Sequence, residues 1–228
     1  MTTVRRLPTA DVDEVLTRMR DLDAALPPRD GVAVFNRVYL SVTEELRRRL
    51  EARAFADRTA AAELGARFAG RYLAAVAAAE PRDAPACWRP LLQLRGHRGI
   101  RPLQFALAGI NAHVGHDLAL AVIDTARALE LEPPDLERDF DRVGELLTAI
   151  EERVREELMP GPDLLDIADP LTHLAGSWSL DRARDAAWAA SRVLWSLRRM
   201  PEMYEEFTEK LDTGVGLIGR FLLTPLDR

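Results

Sequence analysis

Apolar residues recur at three- and four-residue intervals in one segment after another, which is the period of an α-helix. Val12, Val15, Leu16, Met19 and Leu22 form the first stripe, behind Thr9, whose hydroxyl is placed to cap the free amides of a helix start. Pro27, Pro28, Asp30 and Gly31 break the chain. A second helix is predicted from about Val32 to Ala54, with Phe35, Val38, Tyr39, Val42 and Leu46 on one side. Asp57 caps a third, to about Ala79, whose run of alanines and glycines lets a neighbouring helix come close.

A short helical or irregular piece follows at Cys87–Leu94, then a loop around His97 with two glycines. Pro133-Pro134-Asp135 stops and restarts the chain, with Asp135 read as the cap of a helix carrying Phe140, Val143, Leu147, Ile150 and Val154. Residues 163–177 read as a short helix with loops. Ser177 or Ser179 opens a helix through Trp188 and Trp195, and Pro201 opens the last one, weakened near Gly214, Gly216 and Gly219. No alternating run is bounded by hairpin signals, and there is no internal repeat or low-complexity linker. The fold class that follows is all-α: one domain over residues 1–228, a bundle of about seven helices.

The most apolar long segment, Arg101 to Leu131, is the centre of that bundle. Leu103, Leu107, Ile110, Val114, Leu118 and Ala121 fall on one line of it; Phe105, Ala112, Ala119 and Ile123 lie opposite. A helix apolar on both faces is normally buried. Yet this one carries His113, His116, Asp117 and Asp124 on one polar arc, and Gln104 and Asn111 on a second, narrower one. Buried ionisable groups are costly unless paired, so the arc requires an explanation.

Composition narrows the choices. Of 228 residues, 47% are hydrophobic and 30% charged, enough for a core and too apolar for disorder. A net charge of −6 and a pI near 5.4 argue against nucleic acid or an anionic membrane as partner. Arginine far outnumbers lysine but is interleaved with acids. The single cysteine, Cys87, excludes an internal disulfide and reads as a buried thiol. The first twenty residues lack the apolar core of a signal peptide, and charged and polar residues interrupt the central segment. A soluble cytoplasmic protein is the expectation, with self-association left open.

His113 and Asp117 are four apart, and His113 and His116 three, so each pair shares one side of a helix. Imidazoles and a carboxylate at this spacing suit a divalent transition metal, completed from another helix. The candidate ligands are His113, His116, Asp117 and His173, with Asp169 four before His173. Without a metal, the same pair is an acid/base couple in which Asp117 orients His113. A plain structural hydrogen bond is the third reading. The spacing is neither the HExxH zinc pattern nor the E-x-x-H of di-iron proteins. Gln104 and Asn111 are candidate substrate-positioning groups, and Trp178, Arg184, Trp188 and Tyr39 candidate pocket residues.

The runs Arg89-Pro-Leu, Arg98-Gly-Ile-Arg-Pro-Leu-Gln-Phe-Ala-Leu-Ala-Gly-Ile-Asn-Ala-His113 and Asp117-Leu resemble a family of actinobacterial proteins catalogued as a domain of unknown function. So do residues 30–40, Trp178-Ser, Arg182 to Trp188, Val193 to Leu197 and the ending Leu211 to Leu223. The resemblance covers nearly the whole chain. It implies weight on Asn111, His113 and Asp117 rather than on His116, and it brings no activity with it. The leading expectation is an enzyme acting on a small organic molecule through a His/Asp site inside the bundle, with or without a metal. The alternative is a non-catalytic helical module that binds a ligand or a partner protein.

Overall fold

The computed structural model describes residues 10–158 and 179–225, and side chains within 11–146 and 179–225. Eight helices and no strand occupy the described residues. They are α1 (Ala10–Ala25), α2 (Gly31–Glu51), α3 (Arg58–Val76), α4 (Arg89–Leu94), α5 (Pro102–Leu129), α6 (Pro133–Leu158), α7 (Leu180–Leu197) and α8 (Pro201–Leu222). The architecture is an all-α bundle. A single 3-10 turn, Pro81–Asp83, lies between α3 and α4.

The helix starts follow local chemistry. Asp30 accepts from the Val32 amide and Asp57 from those of Thr59 and Ala60, so each carboxylate satisfies donors that the first helical turn leaves open. Ser179 does the same for Arg182. At α6 the expectation needs correction. Asp135 lies inside the first turn, where its carboxylate accepts from the Glu132 amide, and the two prolines occupy positions that need no amide hydrogen.

The amino-terminal half of α5 lies between α2 and α8, and its carboxy-terminal half between α3 and α7. By length and composition α5 could cross a membrane, but 89% of its most apolar window is buried, as expected of a core helix. Glycines set the closest approaches. A Cβ on Gly31 would sit 2.5 Å from the Phe105 ring, and one on Gly216 2.6 Å from the Ala86 carbonyl oxygen. The glycines expected to weaken α8 do not interrupt it, because Gly216 is the surface that lets the Ala86–Cys87 backbone pack against it.

The second polar arc of α5 is used for assembly. Gln104 donates to the carbonyls of Leu222 (2.9 Å) and Thr224 (2.8 Å), and Asn111 to that of Val215 (3.0 Å). Both amides tie α8 to α5.

Candidate functional site

α5 is not a regular α-helix throughout. Pro102–Ala112 and Leu118–Leu129 are α-helical, and His113–Asp117 form one π turn between them. Such a turn takes in an extra residue and frequently marks a functional position. On a regular helix, adjacent side chains do not face each other. The wider turn reduces the rotation per residue, and Asp117 here reaches both histidines. His113 Nδ1 lies 3.0 Å from its Oδ2, and His116 Nδ1 2.9 Å from its Oδ1.

A third donor comes from the segment before α4: Trp88 Nε1 to Asp117 Oδ2 at 3.0 Å. Asp117 is 1% exposed and Trp88 fully buried. Burial alone would raise this carboxyl's pKa, but the hydrogen bonds from the two imidazoles outweigh it and hold the group below the usual carboxylate range. An ionised carboxylate can only accept, so the proton of each imidazole sits on Nδ1. Each Nε2 is then the atom left for other work.

The two Nε2 atoms meet opposite surroundings. The His113 ring stacks on Phe68 at 3.6 Å between centroids, with Tyr39 at 4.3 Å. Phe35, Tyr72 and Trp88 complete the enclosure. Its Nε2 is buried with no hydrogen-bond partner among the described residues. Burial holds the His113 pKa below the ordinary histidine value, against the pull of Asp117, so the ring is neutral at pH 7. Burial likewise pushes the hydroxyls of Tyr39 and Tyr72 far up.

His116 instead stands at the edge of an open groove of about 380 Å³, walled largely by α8. Its Nε2 is 3.8 Å from Asp212 Oδ1, and Asp212 in turn accepts from the amides of Ala86 and Cys87, both at 2.8 Å. Cys87 Sγ joins them: ligand atoms of Cys87, His116 and Asp212 lie within 4.8 Å of one another. Burial pushes the Cys87 thiol well up, and the Asp117 and Asp212 carboxylates push it further, so the free thiol stays protonated at neutral pH. That state is the inert buried thiol the sequence suggested.

The family's sequence model matches residues 12–225. The chain belongs to DUF5995, a family of unknown function. No curated protein and no solved structure matches it.

In this DUF5995 chain the structure brings His113, His116 and Asp117 together, but not as a site with one mouth. His113 and Asp117 are sealed in the core and line no part of the groove; His116 is the member that reaches it. Asp117 has both oxygens engaged and stands behind the imidazoles rather than beside them. Asp124, on the same predicted arc, pairs with Arg71 of α3. Gln104 and Asn111 are committed to α8, which corrects their assignment to substrate. Among the predicted pocket residues, Tyr39 packs on His113, while Trp188 packs against Phe140 of α6 with ring centroids 4.7 Å apart and planes tilted by 40°, and Arg184 lies 5.7 Å over the same Phe140 ring. Trp178, His173 and Asp169 lie outside the described residues.

Sequence reasoning missed Asp212 and the part played by Cys87 and Trp88. One signal pointed to Asp212. Tyr204, Thr208, Asp212, Val215 and Gly219 follow one another at three- and four-residue steps, so this acid lies on the packed side of an amphipathic helix. Its partners at positions 86 and 87 are 126 and 125 residues away along the chain, beyond any local pattern.

Proposed function

We propose that this protein is an enzyme performing polar chemistry on a small organic molecule in the groove beside His116. The single observation that carries this reading is an imidazole, His116, whose Nδ1 lies 2.9 Å from the buried Asp117 carboxylate and whose other side faces a groove. A histidine oriented in this way is a common working group of enzymes, because its free lone pair can take a proton or bind an electrophile. The groove volume falls within the range of small-molecule sites, about 300–1,000 Å³. Among the described residues its lining carries Glu205, Glu209 and Asp212 and no lysine or arginine, so the substrate it suits offers an amine or several hydroxyl donors. A soluble cytoplasmic setting accords with the burial of α5 and the unpaired cysteine.

The test is a thermal-shift screen of small amines, polyols and their esters, with each stabilising compound followed for turnover by mass spectrometry. The expected result is a compound that raises the melting temperature of the wild type, is converted by it, and does neither with His116→Ala. Hits that respond equally to His116→Ala, or no hits at all, overturn the reading.

A second reading has its own observation. Leu217, Ile218 and Phe221 stand exposed together on α8 at 70%, 47% and 66%. A non-catalytic module that docks a protein would use such a face. It predicts that Leu217→Glu with Phe221→Glu removes an association seen by light scattering, whereas the enzyme reading predicts no change in turnover.

A further inference from the structure

We propose that Cys87 Sγ, His116 Nε2 and the Asp212 carboxylate form a three-ligand site for a divalent, thiol-seeking cation of the zinc type, with its fourth position open to the groove. This rests on the reading of the His116 groove as the working site, and it names what the His116 lone pair holds.

The donor set is one sulfur, one imidazole nitrogen and one carboxylate oxygen, the three kinds of atom that zinc takes from proteins. Three protein ligands with an open position are the pattern of catalytic rather than structural zinc. Bond lengths of about 2.0–2.3 Å at tetrahedral angles place ligand atoms roughly 3.4–3.6 Å apart. His116 Nε2 and Asp212 Oδ1, at 3.8 Å, need to close by only a few tenths of an ångström. No two of the three ligand atoms are more than 4.8 Å apart, so the largest closure required is a little over one ångström. The Asp212 carboxylate keeps lone pairs for a cation, since each oxygen offers about two and uses one to accept from an amide.

The supporting contacts are those a metal site requires. A ligating imidazole generally donates its other nitrogen to a carboxylate, which fixes the tautomer, and Asp117 is that carboxylate. A ligating carboxylate is itself held by hydrogen bonds, here from Ala86 and Cys87. Three segments far apart in sequence supply the ligands: the turn before α4, the π turn of α5 and the middle of α8. Gly216 allows the first to lie against the third. Two ligands are buried and Asp212 is partly exposed, so the cation would sit at the groove floor with a route to solvent. Glu205 and Glu209 add negative charge on that route. On binding, the thiol proton of Cys87 passes to buffer as the sulfur–metal bond forms, and the ion brings its remaining position as water. A water bound there becomes a far stronger acid than free water, which supplies a nucleophile without asking His116 to act as base.

The experiment uses the full chain without a histidine tag, stripped with chelator and titrated with Co²⁺ and then Zn²⁺. The expected result is one equivalent bound, with a thiolate-to-cobalt charge-transfer absorption that Zn²⁺ displaces. Cys87→Ser should abolish that absorption. Asp212→Asn and His116→Ala should each weaken binding by 10-fold or more, while His113→Phe should leave it within about twofold; each variant's melting curve verifies folding. Absence of the absorption in the wild type, or equal affinity in folded Asp212→Asn and His116→Ala, overturns the site. The two proposals fail separately. Conversion of a small molecule that persists in fully chelated protein overturns the metal and leaves the groove reading. Stoichiometric metal with no small-molecule response, in a screen repeated on the metal-loaded protein, supports the metal and overturns the enzyme.

Discussion

His113 and His116 are three residues apart on one π turn and hang from the same carboxylate by the same ring nitrogen, yet they serve different regions of the molecule. The His113 ring is enclosed by five aromatic residues, and its second nitrogen has no partner among the described residues. The His116 ring meets a thiol and a second carboxylate at the edge of a groove. An identical hydrogen bond therefore has two consequences: in the dry region it fixes packing, and in the wet one it aims a lone pair. A His–Asp pair is in itself evidence of neither; the surroundings of the other nitrogen decide.

The hardest test of this contrast removes the shared anchor. Asp117→Ala leaves three buried donors, on Trp88, His113 and His116, without an acceptor. It should cost about 3–5 kcal/mol in denaturant unfolding, the range seen when a buried charged network is broken. A loss under about 1 kcal/mol would mean that Asp117 organises neither region.

Splitting the two histidines comes next. His113→Ala empties a site between packed rings and should cost about 2–4 kcal/mol. His116→Ala, at the groove edge, should cost about 1–2 kcal/mol yet remove small-molecule and metal responses. Chemical denaturation and titration on the same samples check both, and a reversal of the two patterns would invert the assignment.

The approach of α8 is probed by two glycines on one helix. Gly216→Ala drives a methyl group to 2.6 Å from the Ala86 oxygen and should cost about 1–3 kcal/mol, disturbing the Cys87–Asp212 contact. Gly214→Ala meets nothing within 4 Å and should be neutral or stabilise by up to about 1 kcal/mol through helix propensity.

Acid provides the mildest test. The His113 pKa in the folded protein is below 6.5, its value in an unfolded chain, so unfolded protein takes up the proton first. Its share of stability is full above about pH 6.5 and falls as pH drops below it, by at most about 1.4 kcal/mol per pH unit. Asp117 acts in the same direction but lower. Its contribution is complete above 3.8 and lost as pH falls through its depressed folded value. Melting temperatures between pH 7 and 5 should decline more steeply in the wild type than in His113→Phe.

Much of this was written locally. Helix starts at Asp57 and Ser179, the stripe of α1 and the burial of α5 follow from residues within a few turns of each other, and so does the His113–Asp117 pairing. Gln104 and Asn111 were legible as polar exceptions but not in their purpose, because the carbonyls they bind belong to residues more than 100 positions away. The π turn left no sequence signature that periodicity could detect: a five-residue departure shifts the register by a single residue.

Periodicity, capping residues and composition therefore determined that this chain is helical, that α5 is its core, and that a carboxylate and two imidazoles lie side by side there. Only the tertiary structure decided which imidazole is walled in and which reaches the groove, and that Cys87 and Asp212 wait beside the second. The reason is physical. Helix formation and amphipathic burial depend on neighbours within a turn or two, whereas a site exists where separate helices converge, and that depends on how far Gly216 lets two backbones approach.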